Sequence, residues 1–403
     1  MKDSWGAIEP AESSTSRLRL DFGLRSAILR FNEWAVPGLG GAFFVRQLSW
    51  SCMGLRLAPD IGDKTTAARI AEGLEALAGW IVVRHAHGDK VEEDRIQGKR
   101  KFKDLKSLSF DDVSGGGAYV TVPFRRAATR ALPGLGFCTE EARFSALTLT
   151  QEGAELAELC MADASARAKI VGWLSAESKP LIRIDEPLKK LLLPEHATEA
   201  EKTLVRQQVL GDERRSVLAT LLDRIQPEQL AEPARRKEFL NGLPDLAMRK
   251  RMQTCFAFED LRTASLAAVQ EVSNEINAHR ISAKELSQHP DVAQRFEALN
   301  DASRELGKLL DNEAPAEAAA FCAEQAVPSL PERILSLCRR VPMIFSVIGE
   351  QIDKGVSYTK ELVADDPLGN LDSEEVGSSN VPQPLFRLRR LLQETRQGAL
   401  DAG

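Results

Sequence analysis

Apolar positions along most of the chain recur at helical spacing. In AFFVRQLSWSCMGLRLA (42–58), Phe44, Val45, Leu48, Met53 and Leu55 predict a mostly buried helix. Thr65 and Thr66 precede ARIAEGLEALAGWIVVRH, where Ile70, Leu74, Leu77 and Ile81 form one stripe. Each segment has a face to hide, so the two are expected to pack together. Residues 245–280 read as one long helix, with Phe258, Leu261, Ser265, Ala268, Val272 and Ile276 on a narrow stripe suited to close packing. Helix starts are marked by Thr198 with Glu201, Ser282 with Glu285, and Ser329 with Pro331 and Glu332. In each, the hydroxyl can cap a free amide while the Glu three residues on returns the bond.

The breaks between these runs define the expected organisation. Residues 1–16 are polar and read as disordered, and 17–165 form a first helical domain. DKVEEDRIQGKRKFKDLKS (89–107) is charged and poor in apolar residues, so it reads as a loop or exposed hairpin, and SGGG (114–117) breaks the chain after it. A second helical domain covers 166–356, and 357–384 is expected to be a flexible acidic linker. Residues 385–403 then hold a short amphipathic helix and tail, with Leu385, Leu388, Leu391 and Leu392 on one face and arginines on the others. That helix either docks a partner protein or folds back on its own domain. No fixed-period repeat is present.

Composition supports a mainly α fold. Ala and Leu are abundant and there are only two tyrosines among 403 residues, enough chain for two or three domains. The formal charge of −6 excludes a uniformly basic nucleic-acid coat but not one basic face. Six isolated cysteines, with no CxxC step, read as small buried hydrophobes of a reducing cytosol. With no apolar leader and no long apolar stretch, a cytoplasmic location away from membranes is expected.

One stretch carries a resemblance. YVTVPFRRAATRALPGLGF supplies a helix, RFSALTLT (143–150) a returning strand with apolar Phe144, Ala146, Leu147 and Leu149, and Thr150 starts another helix through an LT-x-x-G step at Gly153. Over residues 105–165 this resembles the C-terminal half of a winged helix-turn-helix domain. The resemblance implies a short β-hairpin, the wing, in a mainly α, multi-domain helical protein. It also implies that Arg125 and Arg126, in the first turns of the reading helix, reach bases or phosphates of double-stranded DNA. From Arg95 to Arg130 nine basic residues face three acids, a surplus of six on an acidic chain. Lys99, Arg100, Lys101, Lys103 and Arg130 can add backbone contacts, and Arg143 can add one from the wing. Against this, such units also serve as protein-binding modules, and Pro123 and Phe124 suit packing better than reading.

Other motifs are weaker. His85 and His87 have no third metal ligand at a recognisable spacing. The DFG letters at 21–23 lack every other kinase element, and no Gly-rich phosphate loop, nucleophile elbow or HExxH is present. No cofactor is expected. The leading expectation is a non-catalytic DNA-binding subunit with a helical partner-binding half. The alternative is an adaptor or scaffold in a bacterial multi-protein assembly, of the anti-phage or DNA-processing kind, without nucleic-acid contact. An enzyme with an unrecognised site is the third reading, and small-residue helix stripes also allow self-association.

Overall fold

The computed structural model describes residues 18–62, 65–85, 95–103, 105–114, 120, 123–139, 143–175, 180–181, 184–276, 280–359, 362–364 and 380–396. The expected disordered start (1–16), most of the acidic linker (365–379), the SGGG glycines and His87 lie outside them. The chain is mainly helical, with five short strands among the described residues. No described helix is long and apolar enough to cross a membrane.

The fold divides into two compact units. One gathers the described residues up to Arg25 with those of Asp260–Asp365; the other gathers Ser26–Glu259 with the described residues beyond Asp366. This partition has no break at 165/166. The boundary falls inside the continuous Leu246–Glu275 helix, which follows the expected long run.

In the larger unit, the Val45–Ile61 helix is the axis of the core. Every residue from Val45 to Leu55 is buried, polar ones included, because other helices cover it on all sides. Its chief neighbour is the Ala67–His85 helix, as the two apolar stripes predict. The two come together at Gly54, where a Cβ would lie 2.7 Å from the Ala71 Cβ and 2.9 Å from the Ala67 carbonyl oxygen. Any larger residue at Gly54 would force the two backbones apart.

Glycines in the Ala67–His85 helix also seat two rings. A Cβ at Gly79 would meet the Phe102 ring at 2.8 Å, and one at Gly73 would meet the Phe110 ring at 2.6 Å. Phe102 belongs to a one-turn helix, Lys99–Phe102, and Phe110 to another, Phe110–Val113. Indole N–H groups fix the chain between and beyond them: Trp80 donates to the Leu105 carbonyl (2.9 Å) and Trp173 to the Leu108 carbonyl (3.0 Å). Within the charged run expected as a loop or exposed hairpin, Lys99–Phe102 forms one helical turn, and the described residues on either side of it are irregular. Ile96 and Phe102 are buried there, while Lys101, Lys103 and Lys106 are exposed.

The core of this unit is closed by a buried ionic knot. Arg46, 1% exposed, donates from Nη1 to the Leu191 carbonyl (2.7 Å) and from Nη2 to those of Lys190 (2.8 Å) and His196 (2.7 Å). It also contacts the Cys160 sulfur and pairs with the fully buried Glu201 at 3.3 Å. Glu201 closes the expected capping box at Thr198 and accepts the Ser49 hydroxyl (2.7 Å). One guanidinium thus neutralises a helix C-terminus and a buried carboxylate together. Burial pushes the Cys160 thiol up to about 12, with Arg46 opposing, so the sulfur remains a neutral packing group.

The two PGLG turns meet in the same unit. A Cβ on Gly134 would sit 2.3 Å from the Gly38 Cα, so the turns after Val36 and Leu132 touch backbone to backbone. Arg215 bridges them, donating to the Pro37 (2.8 Å) and Gly134 (3.0 Å) carbonyls.

The smaller unit pairs Leu18–Leu20 with Leu362–Ala364 in parallel. It also holds a three-stranded antiparallel sheet in which Gln351–Lys354 lies between Ile281–Ser282 and Phe345–Ile348. The helices Pro290–Leu309, Ala316–Gln325 and Leu330–Arg339 pack against one another. Arg340 joins Glu324 (2.6 Å) to the Phe22 carbonyl (3.0 Å) across the Phe321 ring. The Tyr358 hydroxyl donates to the Ile276 carbonyl (3.2 Å), and Leu362–Ala364 is a strand, so the start of the expected linker is ordered structure.

Candidate nucleic-acid interface

The helix expected to read DNA spans Phe124–Gly134, and its environment follows from the residues that begin it. Pro123 is its N-cap and has no donor to offer, while Phe124 is buried, edge-on to Phe43 (5.6 Å) and Phe44 (5.2 Å). The Phe124 amide donates to the Glu75 carboxylate (2.8 Å), which sits inside the core at 4% exposure. A carboxylate from the Ala67–His85 helix thus occupies the positive end of this helix. Arg125 makes a two-pronged pair with Glu72 of the same neighbour, one prong from Nε at 2.5 Å and the other from Nη2. The first turn, where the resemblance places base contacts, is therefore turned inward at its amide and at Arg125.

The remaining candidates divide by exposure. Arg126 and Arg130 lie one turn apart on the solvent face of the helix and make no ion pair at contact distance among the described residues. Arg143 is exposed as well. Lys101 and Lys103 are exposed on the segment held by Phe102. Lys99 and Arg100 lie on the same helical turn, but their side chains fall outside the described part of the structure.

The stretch expected as the wing strand takes a different form. Residues Phe144–Ala146 are a 3₁₀ turn, and among the described residues pairing is confined to the isolated antiparallel bridge between Cys138 and Leu149. Hydrogen bonds from the Thr139 amide to the Thr148 carbonyl (2.9 Å) and from the Thr150 amide to the Phe137 carbonyl (3.0 Å) flank it. Burial shows why: Phe144 and Leu147, three residues apart, go inside while Ala146 and Thr148 stay out, which is the 3₁₀ period and not strand alternation. The LT-x-x-G step behaves as the sequence indicates. Thr150 accepts the Gly153 amide (3.2 Å), and a Cβ on Gly153 would collide with the Phe137 carbonyl oxygen at 1.9 Å.

The C-terminal segment forms the Gln383–Glu394 helix, and Leu385, Leu388, Leu391 and Leu392 are all buried within the larger unit. Of the two alternatives left by the sequence, the structure adopts the folded-back one. Arg389 pairs with Glu228 (3.2 Å) and Arg396 with Asp223 (2.5 Å). Glu394 accepts the Val45 amide (2.8 Å) at the start of the axial helix and pairs with Arg95 at 3.1 Å. Burial raises the Glu394 pKa above its ordinary value, opposed by the Val45 amide and then by Arg95.

Three acids that shape this region, Glu72, Glu75 and Glu394, were not singled out from the sequence. The first two stand three residues apart in EGLEAL, inside an otherwise apolar helix. Acids in such a position need buried partners, and that was the available signal. Among the described residues, no group of three His, Cys, Asp or Glu side chains is arranged to hold a metal ion. No protein-family model matches the chain, and no curated protein or solved structure matches it either.

Proposed function

We propose that this chain is a non-catalytic DNA-binding subunit that grips the phosphate backbone through the outer face of the Phe124–Gly134 helix. The observation that carries the reading is the exposed Arg126–Arg130 row, in which Arg130 has Glu33 as a nearby charge without a contact ion pair, with Arg143, Lys101 and Lys103 as further exposed cations of the same unit. The Glu75 and Glu72 contacts argue against insertion of the helix N-terminus into a groove, so the mode proposed is contact with phosphates with little reading of bases. Fluorescence anisotropy with labelled duplexes of unrelated sequence should give similar affinities, each falling steeply with salt. Strong preference for one sequence, or binding insensitive to salt, would refute phosphate gripping.

A second reading, as an adaptor, is favoured by one observation on the smaller unit. Met343, Ile348 and Val356, at and beside the Phe345–Ile348 and Gln351–Lys354 hairpin, are 49%, 58% and 88% exposed. Large exposed apolar residues near a sheet edge suit a protein contact. Changing Ile348 and Val356 to Lys should abolish capture of a specific partner if this reading holds, and unchanged capture would count against it.

A further inference from the structure

The larger unit carries a recess of about 540 Å³ that the DNA-binding reading does not use. One wall is a single face of the Glu199–Leu210 helix, formed by Glu199, Thr203, Arg206, Gln207 and Leu210. The other is Thr395 and Arg396, just past the C-terminal helix. From this arrangement we infer a binding site for a small phosphate-bearing ligand, gripped by Arg206 and Arg396.

Arg206 is the reason. The enclosed arginines Arg46, Arg215 and Arg333 donate to backbone carbonyls, and Arg46 and Arg333 also meet a carboxylate. Arg206 does neither. It has no ion pair and no hydrogen bond among the described residues, and its Nη1 is shut off from solvent without an acceptor. Arg206 is half-buried at the wall of the recess, so its guanidinium has N–H donors without a protein acceptor to offer an oxygen that enters.

The rest of the lining suits a tetrahedral oxyanion. Asp223 holds one end of the Arg396 guanidinium, which has five N–H donors in all and so retains some for a ligand. The Thr203 hydroxyl is exposed on the same face as Arg206 and has no protein partner among the described residues. Thr395 donates its hydroxyl to the Leu392 carbonyl (2.9 Å), so towards a ligand it can only accept. Glu199 is the one acid of the lining and is engaged by Lys202 at 2.8 Å. Two guanidiniums and a hydroxyl supply more donors than the two oxygens of a carboxylate can use, and match three phosphoryl oxygens.

A ligand held this way would tie the Glu199–Leu210 helix to the end of the C-terminal helix. It should therefore slow exchange of amides near Thr395 as well as bind.

Isothermal titration with inorganic phosphate, at constant ionic strength against chloride, tests the site through the phosphoryl group alone. The expected result is saturable binding to the intact chain that weakens about tenfold or more in Arg206→Gln and less in Arg206→Lys. Thr203→Val gives a second variant with a minimal change of shape, expected to weaken binding severalfold. Hydrogen exchange should show protection of residues 390–396 by phosphate in the wild type only. Absence of saturable binding, or equal affinity in wild type, Arg206→Gln and Thr203→Val, overturns the inference. Duplex binding uses other residues, so failure here leaves the DNA-binding reading standing.

Discussion

Replacing Arg46 by Met tests whether the ionic knot organises the larger unit. Met fills much of the aliphatic volume but offers no donor. The Lys190, Leu191 and His196 carbonyls each lose a short hydrogen bond, and Glu201, fully buried, loses its only ion-pair partner among the described residues. Removing one partner of a buried pair costs about 3–5 kcal/mol, because the other charge stays desolvated. Total stabilities are of the order of 5–15 kcal/mol, so the loss should remove a large share of the cooperative transition. Urea unfolding followed by circular dichroism would measure it, with tryptophan fluorescence reporting on Trp50 beside the knot. The double variant Arg46→Met, Glu201→Gln separates charge from packing. Once the carboxylate is gone the penalty should shrink, giving a coupling of about 2 kcal/mol or more. A loss below about 1 kcal/mol for Arg46→Met, or a double variant whose losses simply add, would refute the reasoning.

Further expectations follow from the same contacts. Gly134→Ala lies at the end of a helix, where Ala ordinarily stabilises by up to about 1 kcal/mol. Here the new Cβ falls 2.3 Å from Gly38, so thermal unfolding should show a loss of about 1–3 kcal/mol, and a gain would contradict the backbone contact. Glu394 has its pKa raised by burial, so the native state holds its proton more tightly than the unfolded chain does. Its contribution to stability is then fully present below the ordinary carboxylate value and is lost as pH rises through the raised one. Limited proteolysis at the C-terminal helix should accordingly quicken across that window in the wild type and much less in Glu394→Gln; equal pH dependence would refute the assignment.

Much of the helical scaffold was legible because it depends on local signals. The stripes of the Val45–Ile61 and Ala67–His85 helices, the capping boxes at Thr198 and Ser282, and the cap at Thr150 need only neighbours in sequence. What was misread depends on distant partners. GKRKFK looks like a solvated loop until Gly79 leaves room for the Phe102 ring. The apolar residues of RFSALTLT fit alternation nearly as well as a three-residue period, and burial of Leu147 decides between them. The leucines of the C-terminal helix state that it is amphipathic, but only the partners of Arg389, Glu394 and Arg396 say that it docks at home. For the candidate site, the basic surplus was visible, whereas the inward turn of Arg125 required Glu72.

The central claim, phosphate contact through the outer face of the Phe124–Gly134 helix, is tested most directly by the salt dependence of duplex binding. Each phosphate contact adds about 0.9 to the slope of log affinity against log salt. Arg126→Ala, Arg130→Ala and Arg143→Ala combined should therefore lower the magnitude of the slope by roughly 2–3, whereas Arg125→Ala alone should leave it nearly unchanged. A slope that survives the triple change, or one that falls with Arg125→Ala alone, would contradict the account.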